Sequence, residues 1–315
     1  MEPAQPLYKQ TATHFTLRIF IHPDTEVPGQ LVLELADLFL SDLLFPGVRV
    51  TALDTKRAGE GAKINSGEFS ERRWTTTTKK FRSNELAVLT LKAETPDFPN
   101  QKIWLSIHVN PPGGDERLLA EKIEVMCSIS YLRHLAASPE KLDALFRLAK
   151  MAWNGVSRPA YGYGNIAISP HRPKFAEWSL NPGKELPWEM IRAPADRAHA
   201  IPVAYVADID LNLQQSYVKG EGIKGAFWAN FLAAHHVAMA GGEATLRTRL
   251  PDIRIDALEH GGLLLVATDS PLPEDTEANR RRFLELDAAL KPAFLSSEAA
   301  SETMRRMLGY FYRER

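Results

Sequence analysis

The chain has 315 residues, 44% of them hydrophobic and 24% charged, with 19 glycines and 21 prolines. That composition excludes disordered, collagen-like and low-complexity chains, and the length predicts about two domains, or one with a large elaboration. Lys and Arg total 38 against 39 Asp and Glu, a formal charge of −1, so no global field favours nucleic acid, an anionic membrane or an acidic substrate and electrostatic recognition must be local.

In chain order, Phe15, Leu17, Ile19 and Ile21 alternate with Thr16, Arg18 and Phe20, which predicts a strand ending before Pro23. Leu31, Leu35, Leu38 and Phe39 have helical spacing within Gln30 to Phe45, closed by Pro46 and Gly47. Strand-like runs follow at Val48 to Leu53, Leu86 to Leu91, Ile103 to Val109 and Ile123 to Tyr131, with Lys56 to Gly67 read as a polar loop. Ser138 as cap, Pro139 in the first turn and the stripe Leu142, Leu145, Phe146, Ala149 and Trp153 predict a helix stopped at Gly155. The proline-rich stretch Arg158 to Pro202 reads as irregular structure with a short strand at Ile166 to Ile168. Val203 to Ile209 predicts a strand, Ala226 to Ala240 a helix, and Ile253 to Leu258 with Leu263 to Thr268 a hairpin around His260-Gly261-Gly262. Phe283, Leu286 and Leu290 line a helix ended by Pro292, and Ser297 caps a last one reaching Leu308. Strands and helices intersperse without strict alternation, which predicts an α+β fold with mixed or antiparallel sheets, packed helices and two sub-domains. The expected division is 1–115 and 116–315, with an alternative split near 155.

Cys127 is the only cysteine, which excludes an intramolecular disulfide and a Cys-rich zinc site. The N-terminus has no basic and apolar leader pattern, and the longest charge-free stretch, Gly225 to Gly242, carries Asn230, His235 and His236. A cytoplasmic location without membrane association is therefore expected.

Several short patterns invite chemistry. Gly220-Glu221-Gly222-Ile223-Lys224-Gly225 fits G-x-G-x-x-G, but the preceding run is half polar and no acid ends a strand about 20 residues on, so a flexible loop feeding a helix is expected and no nucleotide cofactor. His235 and His236 are adjacent and cannot present an i, i+4 ligand face; His235 shares a helical face with Trp228, Phe231, Leu232 and Met239, which predicts a core histidine. Asp208 and Asp210 share one side of a strand end without a third ligand, so no metal is expected there. Asp24, Asp54 and Lys56 resemble, loosely, the carboxylates and lysine of a PD-(D/E)xK nuclease. In Glu71 to Arg82, five cations against Glu71 give a local charge of +4 beside Trp74 and Phe81, read as an exposed strand or hairpin guarded by lysines. The acids and arginines from Glu274 to Arg282 suit the dipole and solvated face of a helix start.

Trp153-Asn154-Gly155, Tyr161-Gly162-Tyr163-Gly164, Phe227-Trp228-Ala229-Asn230-Phe231-Leu232, His236-Val237, Gly241-Gly242, the Leu246 to Pro251 segment, Gly261-Gly262-Leu263-Leu264 and Asp269-Ser270-Pro271 follow one another in an order that resembles a family of bacterial immunity proteins. These protect cells from toxins of polymorphic and type VI secretion systems, and the likeness covers roughly residues 120–295. The resemblance implies a non-enzymatic inhibitor of one cognate toxin, a nuclease effector, with Trp153, Gly155, Trp228 and Gly242 as framework positions and no inhibitory residue identified. The leading expectation is a cytoplasmic immunity protein with no catalytic residue, cofactor, metal or direct nucleic-acid contact. Its candidate toxin-binding loops are 72–82, offering Arg72 and Trp74, and 208–224, offering Asp208, Asp210, Glu221 and Lys224. The competing expectations are a metal-dependent nuclease or phosphodiesterase using Asp24, Asp54 and Lys56, a nucleotide-binding enzyme using the loop at Gly220, and an adaptor component of a secretion apparatus.

Overall fold

The computed structural model describes residues 12–22, 25–58, 63–95, 98–109, 121–168, 208–209, 222–223, 225–273 and 276–294. The chain divides into two compact units, one made of residues 15–162 with 258–261, the other of residues 163–257 and 262–315 with 1–14.

The first unit contains β1 (Ala12–Ile21) from Phe15 onward, α1 (Gly29–Leu38), β2 (Arg49–Arg57), β3 (Ile64–Glu68), α2 (Glu71–Arg82), β4 (Leu86–Thr95), β5 (Phe98–His108), β6 (Glu121–Ser128), α3 (Ile129–Ala136) and α4 (Pro139–Asn154). It also takes the first residues of β7 (Pro159–Ile168), and its strand order is β7-β1-β6-β5-β4-β2-β3. Pairing from β6 through β5, β4 and β2 to β3 is antiparallel.

Side chains alternate between the two faces of a strand, so register decides which residues line up. Leu53, Leu91, Leu105 and Val125 stand opposite one another in succession and are all buried. On the other face the next row is polar: Asp54 faces Thr90, Thr90 faces Ser106, and Ser106 faces Glu124. The Thr90 and Ser106 hydroxyls are 3.0 Å apart, and Ser106 Oγ is 2.9 Å from His108 Nε2. Beyond Glu124 the row reaches β1, where Arg18 Nε and Thr16 Oγ1 both donate to Glu124 Oε1. Arg18 and Glu124 are 2% and 3% exposed, so this is a buried ion pair.

Helices pack on this sheet, α3 against β5 and β6, and α4 against α1 and α3. Beyond Leu38, α1 continues as a π-helical turn, Phe39–Leu43. The carbonyls at its end, which no further turn satisfies, accept from neighbouring helices: Lys141 Nζ reaches the Asp42 and Leu44 oxygens at 2.7 and 2.8 Å, and the Tyr131 hydroxyl reaches Leu43 at 2.9 Å.

Several local expectations change. Lys56 continues β2, and Ile64 to Gly67 pair with β2 as β3 rather than forming a loop. The run to Tyr131 ends as a strand at Ser128, whose hydroxyl accepts the Tyr131 N–H and starts α3. Ser138 occupies the cap position of α4 without a side-chain hydrogen bond, leaving Pro139 as the first-turn signal. The segment Thr75 to Thr78 is helical, because Ser70 caps Arg73 N–H, Glu71 suits the first turn, and Thr77 and Phe81 bury one face. A strand spans Pro159–Ile168, where irregular structure is expected before Ile166.

The second unit contains the rest of β7, β8 (Asp208–Ile209), β9 (Ala229–Leu232), α5 (Ala234–Met239), α6 (Glu243–Arg249), β10 (Arg254–Ala257), β11 (Leu263–Val266) and α7 (Glu277–Leu290). Its strand order is β10-β11-β9-β7, with β8 parallel to β7. The expected hairpin is present, with Arg254 opposite Val266 and Ala257 opposite Leu263. The run 226–240 is not one helix. Ala229 to Leu232 are buried on both faces of a sheet, and an apolar run this short has no periodicity that separates strand from helix. Only Ala234–Met239 is helical, which reverses the histidine expectation: His235 is exposed and His236 is 1% exposed. The segment from Ser297 to Leu308 lies outside the described residues.

The buried Arg18–Glu124 pair generates the first prediction. Glu124→Ala leaves the guanidinium inside the sheet without its carboxylate and should lower unfolding stability by about 3–5 kcal/mol, whereas Arg18→Met with Glu124→Leu should recover most of it. Urea denaturation of the three proteins checks this.

Candidate functional site

The cationic segment singled out in the sequence is α2, held at three points. Ser70 caps its start, and the Arg73 guanidinium lies across β3, where Nη2 donates to the Asn65 carbonyl at 2.9 Å. A side chain at Gly67 would occupy the space of that guanidinium. At the other end, a Cβ added to Gly29 would lie 2.2 Å from the Phe81 carbonyl oxygen, so the start of α1 and the end of α2 meet backbone to backbone. Phe81 itself is 2% exposed.

This anchoring sorts the α2 side chains. Arg72, Thr75, Thr76, Lys79 and Arg82 are exposed, while Trp74 is half-buried and turned toward Phe69, ring centroids 6.1 Å apart. Arg72 and Trp74, two residues apart on a helix, lie on different sides. Lys79 and Arg82 join Arg72 on the open face, a grouping hidden while the segment is read as a strand or loop. Of the second candidate loop, Asp208 lies in β8, and Asp210, Glu221 and Lys224 lie outside the described residues.

The residues of the enzyme readings are placed differently from the expectation. Asp54 lies in β2, 8% exposed, and is ion-paired with Lys92 of β4; Lys56 is in the same strand, and Asp24 lies outside the described residues. Among the described residues no group of three or more His, Cys, Asp or Glu side chains is arranged to hold a metal ion. The glycine-rich segment does not feed a helix. Ile223 N–H donates to the Ala293 carbonyl at 2.8 Å, Ile223 bridges to Phe294, and the chain enters strand β9, whereas a dinucleotide fingerprint places pyrophosphate on a helix N-terminus. Burial pushes the Cys127 thiol far above its ordinary range, which makes it a poor nucleophile.

The aromatic and glycine motifs are framework. Trp153 is fully buried, with Nε1 3.4 Å from the Glu259 carbonyl, and Asn154 Oδ1 accepts the Glu259 N–H at 3.1 Å. Gly155 packs against Leu31, whose Cδ1 lies 2.5 Å from the position a Cβ would take. Tyr161 stacks on Phe20 in the first unit, and Tyr163 stacks on Phe227 in the second, centroids 4.4 Å apart. Trp228 Nε1 donates to the Thr268 carbonyl at 2.8 Å. Asn230, fully buried, closes a turn on one residue: Oδ1 accepts Phe227 N–H at 2.9 Å and Nδ2 donates to Phe227 O at 2.7 Å. Gly242 has φ 87° and ψ 164°, a conformation nearly exclusive to glycine, and lets α6 start directly after α5.

Residues 190–310 match the family model TsiV, described as type VI immunity for VRR-NUC. The matched region includes the Phe227 to Leu232 motif, Gly241-Gly242 and the β10–β11 hairpin. Among solved structures, the chain is similar to the Pseudomonas aeruginosa T6SS protein PA0821 at 17% identity and a TM-score of 0.53, over 94% of this chain and 83% of that one. At that identity the likeness establishes a shared α+β fold. No curated protein matches the chain. Among the described residues, no helix is long and apolar enough to cross a membrane.

Two predictions follow from the framework. Gly29→Ala should cost about 1–3 kcal/mol, because the methyl meets a backbone carbonyl and α2 must move; a thermal melt and amide exchange across α2 check this. Asn230→Ala should lower stability by about 2 kcal/mol, since it removes both hydrogen bonds to a buried Phe227 backbone; its denaturant midpoint, compared with that of an exposed Thr76→Ala control, is the measurement.

Proposed function

We propose that this chain is a non-catalytic type VI immunity protein that resides in the cytoplasm and neutralises a VRR-NUC nuclease by binding it. The observation that carries this reading is the TsiV match over residues 190–310, described as type VI immunity for VRR-NUC. The likeness in fold to a Pseudomonas T6SS protein supports it, as does a set of sequence motifs spent on packing and turns rather than on chemistry. Inhibition is stoichiometric: the immunity protein occupies the nuclease and excludes its substrate. A complex of this kind buries about 1,200–2,000 Å² with a few desolvated anchors. Arg72 and Trp74 on α2, and Asp208, Asp210, Glu221 and Lys224 in the 208–224 segment, remain the candidate contacts.

The test is titration of a purified cognate VRR-NUC nuclease with this chain. Activity should fall linearly to zero at a fixed molar ratio, and intact nuclease should be recovered after denaturing the complex. Protection at substoichiometric amounts, or no complex at all, overturns the proposal.

A further inference from the structure

We propose that the exposed face of α2 is the surface on which this protein meets its partner, and that it docks against an acidic patch of the nuclease through Arg72, Lys79 and Arg82. The inference rests on the immunity reading and adds to it the surface and the chemistry of the partner.

Three observations carry it. Arg72 and Lys79 are seven residues apart, so they share one azimuth about 10.5 Å apart along the axis, with Arg82 a further turn away on the same side. All three are exposed, and none forms an ion pair among the described residues. Lys92, Lys102 and Arg147 of the same unit are paired with Asp54, Glu94 and Asp42, whereas the three cations of α2 share one helix face without a carboxylate partner among the described residues. In a chain whose net charge is −1, an uncompensated cationic stripe is a local departure, and its complement is negative.

The face is also preorganised. Gly29 against Phe81, Ser70 at the cap and Arg73 on β3 hold the helix, so binding does not have to order it. Thr75 and Thr76 stand exposed between the cations, and the Thr76 hydroxyl donates to the Arg72 carbonyl at 2.9 Å. A protein rather than nucleic acid fits this face. Trp74, which would have to stack on a base, is turned to Phe69 on another side of the helix. A nuclease that works with metal ions carries a carboxylate cluster where its substrate phosphates bind, and a cationic helix laid across that cluster blocks substrate and metal together.

The experiment compares the full-length protein with Arg72→Glu/Lys79→Glu/Arg82→Glu, with the neutral Arg72→Gln/Lys79→Gln/Arg82→Gln, and with the charge-preserving Arg72→Lys/Lys79→Arg/Arg82→Lys. Each is titrated calorimetrically against the purified cognate VRR-NUC nuclease at about 50 and 300 mM salt, on either side of physiological ionic strength, and circular dichroism verifies the fold. The reversal should weaken binding at least about a hundredfold, the neutral variant less, and both should flatten the salt dependence, while the charge-preserving variant stays near the parent. If the parent binds and the reversal and neutral variants bind equally well, the α2 proposal fails and the immunity reading stands. If the parent does not bind, both fail. A short DNA duplex that binds the parent and not the reversal, with nuclease binding unchanged, also overturns the proposal.

Discussion

The Arg18–Glu124 ion pair sets the register between β1 and β6, and the arrangement of the first unit depends on that register. A slip of one residue would turn Arg18 and Thr16 to the opposite side of the strand and leave Glu124 in the sheet without either donor. With the pair in place, Phe15, Leu17, Ile19 and Ile21 occupy the apolar side with Ile123, Val125 and Cys127, and the polar row Asp54, Thr90, Ser106 and Glu124 lines up on the other. Buried charges of this kind contribute little net stability, but removing one partner is costly because the other is left buried and unpaired.

The two units use different means to hold their motifs. In the first, helix ends are satisfied by side chains from other helices, as Lys141 and Tyr131 do for the π-helical turn after α1. In the second, the Phe227 to Leu232 segment is tied by its own Asn230 and by Trp228. Both leave rigid scaffolding in which conspicuous residues do structural work, and this fits a protein whose activity is to bind. The charged residues of α2 are exposed and stand outside this core, so they can change without altering it.

Much of the fold was legible. β1, α4, the β10–β11 hairpin and α7 each carried a clear period together with a capping or breaking residue. The errors share one cause. Where the apolar run was short or the propensities pointed the wrong way, tertiary burial made the decision. Four consecutive threonines favour a strand, yet Phe81 and Thr77 are buried only if the segment is a helix. Ala229 to Leu232 continue into Ala234–Met239 without a change in hydrophobicity, yet pairing with β11 requires an extended strand.

That same pairing decided the histidines: starting the helix at Ala234 rather than Ala226 turned His236 inward and His235 out. Composition, period and caps by themselves determined the α+β class, the order of most elements and the presence of a cationic segment, because these depend on neighbours close in sequence, while the framework roles of Trp153, Gly155, Trp228 and Gly242 came from the resemblance to immunity proteins. Only the tertiary structure decided that Arg72, Lys79 and Arg82 share a face while Trp74 leaves it, and that Glu124 finds Arg18 across 106 residues. Side-chain grouping on a helix and pairing across a sheet depend on contacts between distant segments, and no local pattern carries that information.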